Sequence, residues 1–132
     1  PGRADSLAPG KSRFTSLCPT IVFDGDKPQI VLGAPGGTQI AMGVLQSILN
    51  LLDFDMDMQQ AVSAPRFSST SDAIDVCNRI PAYTTDQLAA QGYEIRRSHL
   101  SFAFAMVHGI QIRDGEMNGG ADPAGDGMAL SI

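Results

Sequence analysis

Apolar and polar positions change rhythm along this chain, and each rhythm predicts an element. Thr20-Ile21-Val22-Phe23 and Gln29-Ile30-Val31-Leu32 are short apolar runs around the turn-forming Asp24-Gly25-Asp26-Lys27, which predicts an antiparallel strand pair. Over residues 38–53 the period lengthens to that of a helix, with Ala41, Val44, Leu45, Ile48 and Leu52 on one stripe. Met42, Leu49 and Leu51 widen that stripe, so this helix is expected to be covered on more than one face. Asp57 stands three residues before Gln60, the spacing of a capping box, and Pro65 bounds the short helix that follows.

The second half repeats the theme. Residues 73–76 read as a short strand. Thr84-Thr85-Asp86-Gln87 reads as the cap of a helix carrying Leu88 and ending at Gly92. Tyr93-Glu94-Ile95-Arg96 alternates as a strand, and residues 101–107 and 109–113 read as longer strand material. Arg113-Asp114-Gly115-Glu116 has the form of a two-residue hairpin turn. Residues 119–127, rich in Gly, Asp and Pro, are expected to be loop, and residues 1–12 an extended arm. Without repeats or linkers, helices beside antiparallel strands predict one α+β unit over residues 1–132.

Between the first strand pair and the long helix lies Leu32-Gly33-Ala34-Pro35-Gly36-Gly37-Thr38. Adjacent glycines at a helix start leave backbone N–H groups uncovered, and the first helical turn has no internal partners for them. With the helix dipole added, such a turn can hold an anion or a developing oxyanion. The plainer alternative is a tight strand-to-helix turn, a common role for glycine. These seven residues leave both open.

Charge and composition narrow the field. A net charge of −5 with nine Lys and Arg argues against nucleic acid or an anionic lipid surface as partner. The longest apolar stretch, residues 40–52, is interrupted by Gly43, Gln46, Ser47 and Asn50 and is too short to span a bilayer. Cys18 and Cys77 lack zinc-site spacing and are read as reduced and packed. His99 and His108 have no carboxylate or Cys at ligand spacing. Asp53-Phe54-Asp55-Met56-Asp57 imitates a calcium loop, but its sixth position is Met58 and its twelfth Ala64. Neither metal nor cofactor is implied. The chain starts at Pro1 with no apolar leader, so any export signal is expected elsewhere or not at all.

Several motifs recur in one order. Residues 9–22 hold Pro9-Gly10-Lys11-Ser12-Arg13-Phe14-Thr15-Ser16-Leu17-Cys18-Pro19-Thr20-Ile21-Val22, followed by the glycine turn, Val44-Leu45-Gln46 and Ala64-Pro65-Arg66-Phe67. Asp114-Gly115-Glu116, Gly119-Gly120-Ala121-Asp122-Pro123 and Asp126-Gly127 complete the set. In this register, from about Asp5 to Ala129, the chain resembles the C-terminal part of the small subunit of gamma-glutamyltranspeptidases. The resemblance implies half of an αββα N-terminal-nucleophile hydrolase sandwich, from a precursor that cuts itself into a large and a small subunit.

It also implies chemistry. In such enzymes an N-terminal threonine attacks a γ-glutamyl amide carbonyl with its own α-amino group as base, and the acyl group passes to water or an amine. The glycine pair after the strand, here Gly36 and Gly37, supplies N–H groups to the tetrahedral oxyanion. The family's adjacent serines bind the substrate's α-carboxylate, and Thr15 and Ser16 occupy their place, where two short hydroxyls can donate charge-assisted bonds. The plainer role for these two is to solvate a turn. The nucleophile and cleavage site belong several dozen residues before Thr15, so this chain is expected to be inactive alone. Its partners are then the precursor's large subunit and a small amide substrate.

The departures are specific. Thr15 replaces a serine, Ser68-Ser69 follows Phe67 where histidine is common, Phe104 replaces a glutamine, and Thr38-Gln39 replaces serine-arginine. They leave room for a substrate other than glutathione, or for a relative kept as a binding or assembly domain. A phosphate loop is the remaining rival, but it needs lysine where Gly37 stands. Ile30-Val31-Leu32 and residues 102–107 carry no charge, so exposed sheet edges there, or the helix layer, are expected to make the chain self-associate.

Overall fold

The computed structural model describes Arg3 and residues 6–130. Two strands, β1 (Thr20–Asp24) and β2 (Lys27–Gly33), pair antiparallel about Gly25, whose φ of 59° suits the tight turn. The chain returns to the same sheet near its end with β6 (His108–Arg113) and β7 (Glu116–Ala121), giving the order β1-β2-β6-β7. Asp114 (φ 54°) and Gly115 (φ 83°) are both left-handed, as a type I′ hairpin requires. A smaller sheet holds β3 (Phe67–Ser68), β4 (Ile74–Val76) and β5 (Ile95–Arg97). Its β4–β5 pair is parallel, so α3 (Ala82–Ala90) fills the crossover.

Side-chain alternation along β2 sets the core. Ile30 and Leu32 point inward, and Val31 points outward. Helices α1 (Ile40–Leu52) and α2 (Met58–Ser63) close over the inner face with Ile40, Val44, Leu51, Met58, Ala61 and Val62, joined by Val107. The expected capping box opens α2: Asp57 accepts from the Gln60 N–H at 2.7 Å, and the Gln60 side chain accepts from the Asp57 N–H at 3.0 Å. Gly120 lets α2 lie directly on the sheet, since a Cβ there would stand 2.7 Å from the Met58 backbone. The Gln59 amide donates to the Ala121 carbonyl at 2.9 Å and accepts from its N–H at 3.1 Å. The edge strand β7 therefore has part of its free backbone covered by α2.

Five expectations need correction. The run 101–107 is not a strand but an arch in which Phe104 (φ 68°) and Ala105 (φ 71°) turn left-handed. Its apolar alternation serves packing against the helix layer instead. Gly119, Gly120 and Ala121 lie in β7 rather than in a loop, because the hairpin register runs on to His108↔Ala121 and needs glycine where α2 approaches. Helix α3 starts at Ala82 behind Pro81, with Thr85 buried inside it, donating to the Ala82 carbonyl and accepting from Arg97. That buried contact outweighs the capping propensity of the threonines. Helix α1 is buried along Ile40, Gly43, Val44, Ser47 and Leu51 only, while Leu45, Leu49 and Leu52 are exposed, so it is covered on one face. Finally, β2 is an inner strand, so neither Ile30-Val31-Leu32 nor 102–107 is an open edge.

Besides the exposed leucines of α1, apolar side chains are exposed on the outer face of the larger sheet. Ile21, Val31 and Ile110 are neighbours across three strands and point away from the helices. They form an apolar row on the outer face of the larger sheet, with exposures of 54%, 40% and 43%. Of the expected residues 1–12 arm, Arg3 and residues 6–12 are described, and they form no helix or strand.

Candidate functional site

The glycine turn leaves the C-terminal end of β2 and enters a single 3-10 turn, Gly37–Gln39, before α1 begins at Ile40. Gln39 donates its N–H to the Gly36 carbonyl at 3.3 Å, and Ile40 donates to the Gly37 carbonyl. Helical hydrogen bonding thus starts two residues after Gly37 and leaves the N–H groups at the turn itself without an internal partner. Among the described residues no backbone acceptor takes the N–H of Gly36 or Gly37. Both residues are exposed. The turn can therefore present two donors outward.

The two glycines are required for different reasons. Gly36 has φ 153°, and a Cβ there would stand 2.6 Å from the Ala105 Cα. No side chain fits between the turn and the arch. Gly37 has φ 60°, a left-handed value, and a Cβ there would meet nothing within 4 Å. The space in front of Gly37 is open to a ligand, while the back of Gly36 is filled by protein.

Thr15 and Ser16 precede β1, whose first residue Thr20 pairs with Leu32 near the end of β2. Beyond that pair the strands stay close, since a Cβ on Gly33 would lie 3.9 Å from the Pro19 Cα. The hydroxyl pair and the glycine pair therefore leave the same end of the β1–β2 ladder. The Thr15 Oγ1 accepts from the Leu17 N–H at 3.2 Å, which fixes a local turn while leaving its own proton free to donate. Thr15 is exposed and Ser16 half-buried.

A buried ion pair lies beside Val107, next to the residue that bonds Pro35. Arg66, three residues beyond the end of α2, and Asp122, immediately after β7, are 2% and 1% exposed and joined through Nη2 and Oδ2. The Arg66 Nη2 also donates to the Val62 carbonyl at 3.3 Å. Asp122 accepts from the N–H groups of Val107 at 3.3 Å and Ala124 at 2.8 Å. Both residues stand within the sequence motifs, whose pattern assigns neither of them a role. The only signal was a charged residue in each of two otherwise apolar or small-residue segments, and their separation in sequence hid the pairing.

Other candidates sort themselves. Cys18 is half-buried and Cys77 buried, both as free thiols. Phe104, which stands where the resembled family has glutamine, is half-buried in the arch. Ser68 is buried and Ser69 exposed, with the Ser68 hydroxyl 3.3 Å from that of Thr70. Among the described residues no group of three or more His, Cys, Asp or Glu could hold a metal ion, and no helix is long and apolar enough to cross a membrane.

The match with known proteins spans the whole chain. A family model described as Gamma-glutamyltranspeptidase matches residues 1–132. Among curated proteins, the chain is 36% identical over 132 residues to Acylase ACY 1 proenzyme from Pseudomonas sp. (strain SE83), covering 100% of this chain and 24% of that protein. It is 30% identical over 133 residues to the Glutathione hydrolase proenzyme of Bacillus subtilis (strain 168), covering 100% and 23%. The chain thus spans about a quarter of the length of these relatives. Among solved structures, the Helicobacter pylori gamma-glutamyltranspeptidase T380A mutant superposes with a TM-score of 0.81 at 34% identity, covering 93% of this chain and 68% of that one. A cephalosporin acylase from Bacillus halodurans superposes with a TM-score of 0.84 at 28% identity, covering 93% and 24%.

Proposed function

Because the chain belongs to the gamma-glutamyltranspeptidase family, we propose that residues 1–132 build the oxyanion and carboxylate pocket of an acyl-transferring amide hydrolase. The α+β architecture with its antiparallel four-stranded sheet is that of its gamma-glutamyltranspeptidase neighbours. Within this reading the chain is the C-terminal portion of the small subunit, and the attacking threonine is supplied by sequence outside it. Gly36 and Gly37 donate to the tetrahedral oxyanion, and Thr15 and Ser16 hold the substrate's carboxylate. The observation that carries the reading is that two N–H donors without a backbone acceptor and two hydroxyls leave the same end of the β1–β2 ladder.

The chemistry follows from those groups. Attack on an amide carbonyl places negative charge on its oxygen, and two N–H groups not engaged by a backbone acceptor can stabilise that charge. The hydroxyls fix the distance between the carboxylate and the reacting carbonyl, which places the amide in front of the donors. The acyl group then leaves to water or to an amine. An acylase acting on another small amide is the second reading, favoured by the 36% identity to Acylase ACY 1 proenzyme and by Thr15, whose methyl narrows the pocket.

Kinetics of the full-length gene product separate these readings. With γ-glutamyl nitroanilide, Ser16→Ala should raise KM about tenfold, the loss of one hydrogen bond to a charged group, with kcat changed much less. With butyryl nitroanilide, which has no α-carboxylate, the same substitution should leave KM unchanged. Equal effects on both substrates would remove Ser16 from the carboxylate site.

Association is part of the same reading. The apolar row Ile21, Val31 and Ile110 is the surface that a second layer of the precursor covers. The 132-residue chain alone should therefore self-associate, and the double substitution Val31→Glu with Ile110→Glu should return it to monomer. Light scattering that finds the unsubstituted chain monomeric at micromolar concentration would contradict this.

A further inference from the structure

We propose that Asp122 is a positioning residue that holds the glycine turn in shape through the 104–107 arch. This rests on the reading of Gly36 and Gly37 as oxyanion donors. The arch touches the turn at two points. Ala105 fills the space that a Cβ on Gly36 would need, and the Met106 N–H donates to the Pro35 carbonyl at 3.0 Å. It also packs on α1, where a Cβ on Gly43 would stand 3.0 Å from the Ala105 Cβ and 3.2 Å from the Phe104 carbonyl oxygen. The arch is thus wedged between the residue before the helix and the first turn inside it.

The arch does not hold its own shape. Phe104 and Ala105 are consecutive left-handed residues with side chains, a conformation that persists only where the surroundings over-determine it. The surroundings do so from both ends. On one side the Arg79 guanidinium lies 4.4 Å from the Phe102 ring centroid, and its Nη2 donates to the Ser63 carbonyl. On the other side the Val107 N–H donates to the Asp122 carboxylate, in a place where Val107 is fully buried. Asp122 is in turn fixed by Arg66 and by the Ala124 N–H.

A buried carboxylate at this position does more than balance Arg66. It is the acceptor for the second N–H after the left-handed pair, one residue beyond the N–H that fixes Pro35. Without that acceptor the arch can relax toward ordinary backbone angles, Ala105 moves, and the Gly36 N–H turns with it. Asp122 itself touches no substrate in this arrangement.

The test uses the full-length gene product and separates the acceptor from the charge. In Arg66→Met with Asp122→Asn, no charge is orphaned and the carboxamide oxygen can still accept from Val107. This variant should keep kcat within a few-fold of the parent. In Arg66→Met with Asp122→Leu, again no charge is orphaned but the acceptor is gone. Here kcat should fall on the order of 10²-fold with KM nearly constant, the signature of misplaced reacting groups. Hydrogen exchange at Met106 and Val107 should quicken at least ~10-fold in the Leu variant alone, as a local opening of about 1.4 kcal/mol would give. Parental kcat in the Leu variant, or equal losses in both double variants, would overturn the proposal. Unchanged exchange over residues 104–107 would do so too. If Gly37→Val retains full kcat, the oxyanion reading falls, while faster exchange in the Leu variant still supports the coupling of Asp122 to the arch.

Discussion

The 132-residue chain on its own should release no nitroaniline from γ-glutamyl nitroanilide, while the full-length gene product should release it. Acyl transfer of this kind needs a nucleophile whose proton is taken by a neighbouring base, and a free α-amino group is that base in N-terminal-nucleophile chemistry. The threonines beside the pocket cannot meet this need. Thr20 lies in β1, where its hydroxyl donates to the Cys18 carbonyl, and Thr38 lies in the 3-10 turn. Both have their α-nitrogen in a peptide bond. Donors and hydroxyls that only bind and polarise an amide leave the bond-making step undone. Turnover by the chain above a buffer blank, in a preparation free of longer protein, would place a nucleophile within residues 1–132 and overturn this division of labour.

Gly37→Val in the full-length product should lower kcat by about 10²–10³-fold with KM for γ-glutamyl nitroanilide little changed, the range seen when one oxyanion donor is lost. Valine keeps the N–H but disfavours the φ of 60° at this position, so the donor swings off its line. The folding penalty should be small, about 1–2 kcal/mol for the left-handed conformation, because a Cβ there meets nothing within 4 Å. Gly36→Ala should behave differently. Its Cβ would overlap the Ala105 backbone, so that substitution should lower the melting temperature as well as the activity. A Gly37→Val enzyme with parental kcat and an intact melting temperature would remove Gly37 from the oxyanion site.

Much of the fold could be read from local pattern because local chemistry decides it. The Asp57–Gln60 capping box, the Asp114-Gly115 hairpin turn and the inward pair Ile30 and Leu32 each depend on residues within a few positions of one another. What pattern misread depends on partners far along the chain. The alternation in 101–107 is that of a strand, yet the N–H groups of Met106 and Val107 go to Pro35 and Asp122 rather than to a ladder. Gly119 and Gly120 look too bare for a strand until Ala129 is seen packed against the first and α2 resting on the second. Helix α1 shows the same limit: its apolar residues are spread widely, and only the sheet beneath decides that Ser47 is buried while Leu45 is not.

The site divides in the same way. The glycine turn was visible because adjacent glycines between a strand and a helix have a narrow set of uses. The proposed pairing of Thr15 and Ser16 with that turn rests on motif order and on the strand pair that both motifs flank. The Arg66–Asp122 pair was invisible, since no periodicity joins residues that far apart and each sits in a segment with its own local explanation. The different duties of Gly36 and Gly37 were equally hidden, because only the arch reveals that one glycine faces protein and the other faces open space.

The most direct measurement is a crystal structure of the full-length gene product with a glutamine analogue trapped covalently on its nucleophile. The oxygen derived from the analogue's reacting carbonyl should lie about 3 Å from the N–H groups of Gly36 and Gly37, the spacing at which such donors act. The α-carboxylate should rest against the hydroxyls of Thr15 and Ser16. An oxygen directed away from the glycine turn, or a carboxylate bound at the opposite end of the β1–β2 ladder, would contradict the account.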